Sequence, residues 1–314
     1  MSLIASATFI DLYLGHDFAD VKGLEGQPRR VAAPAEWQEE IKRLKARCQD
    51  QLDATGEPEF SIVIEDSVLF RVTYMLDVYA KPLFVLNRSA AKILPLMDIG
   101  LPDAVHNCVM SEATKGLVFI CGEMASGKTT SAASIVQARL VQHGGLALAV
   151  EDPPDTPLHG LHGKGRCVQV PVSRRQGGYG EALIRALRTR ADLIFVGEVR
   201  DTPTAVQAVQ ASINGHFIIC TGHAGSVVMG IERLAVLAQP QLPNALQILS
   251  QGLVAVIHQT LQRSDHGPAR LTLKCLSLSD GDAPAIREKI RQGTLQMLEQ
   301  DIANQSSRNI WNDE

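Results

Sequence analysis

The chain has 314 residues, 45% of them hydrophobic and 20% charged, which is enough apolar material for a sizeable core and a length that suggests two domains. Its net charge of −4 lacks the basic excess of a protein that coats nucleic acid, so no direct nucleic-acid partner is expected. The six cysteines (Cys48, Cys108, Cys121, Cys167, Cys220 and Cys275) are scattered without CxxC spacing, which excludes a zinc ribbon or disulfide scaffold and predicts free, buried thiols.

Met1 to Leu14 is mildly apolar, but it has no basic start and Asp11 interrupts it, so it does not read as a signal peptide. No apolar run approaches the roughly 18 residues that span a bilayer, which predicts a soluble chain whose membrane role is at most peripheral. Phe9 to Leu14 reads as a strand. Ala35 to Leu52 reads as an amphipathic helix, with Trp37, Ile41, Leu44 and Cys48 at helical spacing. Phe60–Glu65 and Val68–Met75 read as strands joined by a tight turn at Asp66-Ser67, and Lys81–Leu86 as another strand. Residues 1–98 are thus expected to form a small α+β domain.

Pro95, Gly100 and Pro102 mark a boundary, after which the rhythm changes. Apolar strands at Leu117–Cys121, Leu146–Val150, Leu193–Val196 and Phe217–Cys220 alternate with helices at Thr129–Gln142, Gly180–Arg190 and Thr204–Ile213. That alternation predicts βαβ units and a mainly parallel sheet over residues 99–314. A helical portion begins near Val227, interrupted by strands at Val254–Leu261 and Leu271–Leu276.

Gly122-Glu-Met-Ala125-Ser126-Gly127-Lys128-Thr129 matches GxxxxGK[ST] between a strand and a helix, the context a phosphate-binding loop requires. Gly122 and Gly127 let the backbone curl so that successive N–H groups face an anion, and the new helix adds its positive end. Lys128 is the candidate bridge between β- and γ-phosphates, and the Thr129 hydroxyl the candidate Mg²⁺ ligand. Gly122, Ala125, Ser126, Gly127, Lys128, Thr129, Thr130 and, further along the chain, His216 are the expected nucleotide contacts, with ATP and Mg²⁺ as cofactors.

The buried-looking strand Leu193–Val196 ends in Gly197-Glu198, which places a carboxylate where a Walker B acid belongs, on a strand expected beside the P-loop strand. Glu198 is the candidate base for water. The strand before Glu151-Asp152-Pro153-Pro154-Asp155 ends in a rigid acidic loop, in which Glu151 suits Mg²⁺ ligation through water. His216 and His223 flank the next strand, too far apart to share a metal readily, and one of them is placed to report on the γ-phosphate. Arg174, Arg175, Arg185, Arg188 and Arg190 crowd the segment before Glu198. Arg185 and Arg188 share a helix face by spacing, and Arg188 is a candidate arginine finger.

This order of motifs resembles the type II/type IV secretion ATPase superfamily, and within it the PilT-like branch, from about Ser6 to Gly293. Glu151-Asp152-Pro153 is similar to the family's Asp box, Asp192 to Asp201 to its Walker B region, and Gly215-His216 to Thr221-Gly222-His223 to its His box. Ala285-Ile286-Arg287 through Ile290-Arg291 to Gly293 is similar to the segment that marks retraction ATPases. The resemblance implies a RecA-like P-loop core preceded by a smaller PAS-like α+β domain. It also implies a homohexameric ring with ATP between the two domains, with Arg71 and Arg88 reaching the nucleotide. The ring would be cytoplasmic and docked on an inner-membrane platform protein to drive pilus retraction.

The loop departs from the family at Glu123-Met124-Ala125, and Gly222 stands where Leu is usual. His223-Ala224-Gly225-Ser226 is similar instead to the ATPases of conjugative and type IVB secretion, the alternative function. A nucleic-acid motor and a non-hydrolysing nucleotide switch are the remaining readings. Four tyrosines, two tryptophans and eight phenylalanines leave little stacking surface for single strands, and a switch would have no need of Glu198.

Overall fold

The computed structural model describes residues 2–27, 29–65, 68–89, 92–264, 267–279 and 281–310. It divides into two units: Met1–Lys92 with Asp152–Pro157, and Ile93–Glu151 with Leu158–Glu314. The division between Lys92 and Ile93 falls a few residues before the Pro- and Gly-rich stretch, and the acidic segment 152–157 groups with the first unit. The Asp66-Ser67 turn expected from the sequence lies outside the described residues.

The first unit carries α1 (Leu3–Ser6), β1 (Asp11–Leu14), β2 (Ala19–Lys22), β3 (Arg30–Ala32), α2 (Gln38–Thr55), β4 (Glu59–Ile64), β5 (Val68–Leu76) and β6 (Pro82–Arg88). The strands form one antiparallel sheet in the order β3-β2-β1-β6-β5-β4. Alternate residues Phe60, Ile62 and Ile64 of β4 are buried, as a strand with one face on a core requires. Trp37, Ile41, Leu44 and Cys48 all turn into the same core, so the helical stripe read from the sequence is the packing face. The helix itself starts later than its first apolar residue, because Ala35–Trp37 forms a 3₁₀ turn. It ends at Gly56, whose positive φ lets its N–H return to the Leu52 carbonyl.

The second unit opens with α3 (Leu96–Ile99) and α4 (Asp103–Met110), then β7 (Gly116–Gly122), α5 (Lys128–His143), β8 (Gly145–Glu151), β9 (Gly160–His162), β10 (Gly165–Pro171), α6 (Gly178–Leu187), β11 (Leu193–Val196), α7 (Thr202–Ala211) and β12 (Phe217–Gly222). It closes with α8 (Val227–Ala238), α9 (Ala245–Gly252), β13 (Leu253–Ser264), β14 (Gly267–Ser277), α10 (Ala283–Gln292) and α11 (Leu298–Ile310). The eight-stranded sheet runs β14-β13-β7-β12-β11-β8-β10-β9 and is parallel except at its two outermost strands. All seven residues of β7 are buried, and two apolar clusters sandwich the sheet.

One expectation changes here. The strand of Glu198 does not neighbour the P-loop strand: β12, the strand between the two histidines, lies between β7 and β11. The two strands that interrupt the C-terminal helices, as expected, also extend the core sheet, with β13 parallel to β7. Among the described residues no helix is long and apolar enough to cross a membrane.

Candidate nucleotide site

Because β7, β12, β11 and β8 are mutually parallel in sheet order, their C-terminal ends share one edge. The segments that leave that edge are the P-loop, the His223 loop, Gly197-Glu198 and Glu151. A crevice at the carboxyl ends of parallel strands is where open α/β sheets bind ligands.

The P-loop is shaped by its glycines. Gly122 sits at φ +157° and Gly127 at φ +87°. A Cβ on Gly122 would stand 2.7 Å from Ser126 Oγ and collide with the Gln259 carbonyl oxygen. Gly127 is the residue that caps α5, so the loop delivers its backbone amides to the positive end of a 16-residue helix. Lys128 Nζ donates to the carbonyls of Gly122 at 3.2 Å and Glu123 at 2.6 Å, which folds the lysine back across the loop. Burial pulls its ammonium below the ordinary lysine value, opposed by the Glu198 carboxylate and Cys121. That opposition shows Glu198 to be electrostatically coupled to the lysine. Ala125, Thr129 and Thr130 lie on the more accessible side of the loop, whereas Ser126 is buried.

Glu198 is pinned from both sides. Gly197 N–H donates to the Val150 carbonyl at 2.8 Å and Val199 N–H to the Thr221 carbonyl at 2.8 Å. The Thr221 hydroxyl closes the clamp by donating to the Gly197 carbonyl. The side chain lies 3.1 Å from His223 Nε2 and 3.5 Å from Arg200 Nε. Arg200 in turn sits over the Tyr179 ring, 5.4 Å from its centroid. Sequence reasoning assigned no role to Thr221, Arg200 or Tyr179. Thr221 and Arg200 lay inside the quoted motifs, so proximity in sequence to Glu198 and His223 was the available signal.

Glu151 ends β8, is buried, and accepts a hydrogen bond from Gln169 Nε2 at 2.8 Å. Asp155 belongs with the first unit, where burial raises its carboxyl above the usual range and Arg71 of β5 pulls it back. Arg88 is committed within that unit: its guanidinium donates to the carbonyls of Ile4, Ala5 and Ala7 and lies 5.3 Å from the Phe9 ring centroid.

Within the second unit, two candidates are not brought together with the rest. His216 precedes β12 at the opposite end of the sheet, where its carbonyl accepts from Gly116 N–H, the first residue of β7. A six-residue strand separates it from His223 by roughly 20 Å, so it does not contribute to this edge. Arg188 is not on the body of a helix with Arg185; α6 stops at Leu187 and Arg188 is its exposed cap, while Arg185 pairs with Glu181 at 3.2 Å.

The fold and this edge define a P-loop nucleotide-binding protein with a RecA-like core. The chain belongs to the Type II/IV secretion system protein family, whose profile matches residues 57–307. It is 28% identical to the type IV pilus retraction ATPase PilT of Pseudomonas aeruginosa over 293 residues, 90% of this chain and 81% of that one. A solved structure of the pilus retraction motor PilT with bound ADP superposes with a TM-score of 0.77 at 24% identity, covering 99% of this chain and 91% of that one. The Legionella pneumophila ATPase DotB superposes at 0.73 with 19% identity, over 93% and 84% of the two chains.

Proposed function

We propose that this chain hydrolyses ATP as a motor of type IV pilus retraction, working as a homohexameric ring in the cytoplasm against an inner-membrane platform protein. The observation that carries the chemistry is the convergence of the P-loop, Glu198 and His223 on one sheet edge, with Glu198 clamped at its backbone and coupled to Lys128. The similarity to a retraction ATPase over nine-tenths of the chain supplies the mechanical role.

Released from the loop carbonyls, the Lys128 ammonium is placed to neutralise β- and γ-phosphate oxygens, and the loop amides hold the β-phosphate. The residues fit Mg²⁺ as well. Thr129 is the second residue of α5, directly after the loop, and among the described residues no three His, Cys, Asp or Glu side chains form a cage. That donor set suits a cation that takes few protein ligands and completes its shell with phosphate and water, where it would screen the charge of the phosphates. Glu151 would hold one of the waters of that shell. Glu198 orients the attacking water and accepts its proton as the water oxygen bonds to the γ-phosphorus and the bond to the ADP oxygen breaks. His223 and Arg200 hold the carboxylate in that pose.

The test is ATP turnover per subunit against protein concentration, with Glu198→Gln as control. Specific activity that climbs and then plateaus, with a dead control, supports sites completed by ring assembly. Flat activity, or a control equal to wild type, overturns the ring motor or the assignment of Glu198 respectively.

A further inference from the structure

Gln259 is a buried polar side chain on β13, where it follows an apolar run from Leu253 to Ile257. In register it faces Gly122, the first glycine of the P-loop. Its side chain is 1% exposed, and Nε2 donates to the Ser126 carbonyl at 2.6 Å. It lies so close beneath the loop that a Cβ on Gly127 would stand 3.2 Å from the amide nitrogen. Its Oε1 has no hydrogen-bond partner among the described residues, nor has the neighbouring Ser126 Oγ. The amide is therefore held for its donor alone.

The consequence follows from peptide geometry. The Ser126–Gly127 peptide is planar and trans, so its C=O and N–H point in opposite directions. With the Ser126 oxygen bonded inward to Gln259, the Gly127 N–H must face away from β13, towards the concave side of the loop. The left-handed φ of Gly127 is the conformation that permits this and still starts α5.

The geometry points to Gln259 as a positioning residue that fixes the Ser126–Gly127 peptide so that the Gly127 N–H is aimed at the β-phosphate of bound ADP or ATP. This rests on the nucleotide-binding reading of the loop. Without the amide donor, the buried Ser126 carbonyl is unsatisfied and the peptide is free to rotate towards solvent, which takes the Gly127 N–H off the anion. Such a change weakens ground-state and transition-state phosphate contacts alike, because the β-phosphate is held throughout the reaction.

The test uses the full chain with Gln259→Met, which keeps length and loses the donor, and Gln259→Glu, which presents an acceptor to the Ser126 oxygen. ADP affinity is measured by calorimetry, KM and kcat for ATP by phosphate release, and Tm without nucleotide. The expected result is a Kd for ADP and a KM for ATP raised about tenfold in both variants, with kcat within about twofold of wild type. A residue that served packing alone would lower Tm and active fraction while leaving KM and Kd unchanged, and that pattern overturns the assignment. If Gln259→Met does not fold, Gln259→Glu carries the same comparison through the Tm rise on adding ADP, which the assignment requires to be smaller than in wild type. Wild-type chain that fails to bind ADP overturns the nucleotide reading and this assignment with it. Wild-type binding with equal affinity in the variants overturns the assignment alone.

Discussion

His223 Nε2 lies 3.1 Å from Glu198 Oε1, and the two residues come from loops after adjacent strands, β12 and β11. The pair makes the position of the carboxylate depend on the next loop along the sheet edge. Glu198→Gln removes the proton acceptor and keeps shape, so turnover is expected to fall by ~10²–10⁴-fold while nucleotide affinity stays near wild type. His223→Asn leaves the base but loosens it, with a smaller expected loss of about tenfold. Steady-state phosphate release and nucleotide titration check both; a Gln variant with wild-type turnover would remove Glu198 from the reaction.

Ala125 gives a test of the loop's unusual sequence. It sits at φ +57°, a left-handed backbone in which a Cβ is crowded and glycine is at ease. Ala125→Gly should relieve about 1 kcal/mol of that strain and raise the Tm, with nucleotide affinity retained or improved. Calorimetric melting of the two proteins decides it. A lower Tm in the glycine variant would mean that the methyl group packs to more effect than its backbone costs.

Much of this site was legible because the P-loop motif fixes a strand, a loop and a helix at once, and because buried parallel strands read as apolar runs. Sheet order was not legible. Nothing along the chain says that β12 inserts between β7 and β11, since lateral order is set by crossovers and not by local pattern. The short strands β2, β3 and β9 and the longer β10 are not legible in the sequence. β3 has no buried residue and β2 and β10 are only partly buried, so the hydrophobic alternation that betrays a half-buried strand is weak. His216 and His223 do flank one strand as expected, but membership of the same motif does not bring His216 to the nucleotide edge, because β12 holds the two at its opposite ends. Gly222 shows a departure explained only in three dimensions, because a Cβ there would stand 2.6 Å from the Phe119 ring carbon Cζ. The bulky Phe119 on β7 fills the space that a larger residue at 222 would need.

Asp155 supplies a pH-dependent prediction. Burial raises its carboxyl above the ordinary 3.8, the nearby Arg71 opposes without cancelling, and Oδ1 has no hydrogen-bond partner among the described residues. A raised folded-state value means that the native protein holds this proton more tightly than the unfolded chain. Stability from this group is therefore lost as pH rises above the unfolded value, and neutral pH carries the penalty. Asp155→Asn should raise the Tm at pH 7, and the gain should shrink towards pH 3, where both states of the wild-type residue are protonated. Melting curves across that range check the sign; a gain confined to low pH, or a loss at pH 7, would show that attraction to Arg71 outweighs burial.

Arg287 separates a structural from a functional role for the segment that resembles the retraction signature. From α10 its guanidinium donates to the carbonyls of Ser250 at 2.6 Å and Gln251 at 3.0 Å in the last turn of α9, and to Leu278 beyond β14 at 3.0 Å. The first two are orphan carbonyls that end a helix and the third follows the edge strand, so one cation caps α9 and ties α10 to the end of the core sheet. Hydrogen bonds to a charged group contribute more than neutral ones, and Arg287→Ala is expected to cost on the order of 3 kcal/mol by urea unfolding. Arg287→Lys should recover part of it, because an ammonium can reach one or two of the three oxygens but not all in the guanidinium's plane. If Arg287→Ala unfolds like wild type yet loses turnover, the residue acts on the reaction rather than on the fold. If stability and turnover fall together and return together in the lysine variant, this part of the signature is a brace that the motor needs only in order to stay assembled.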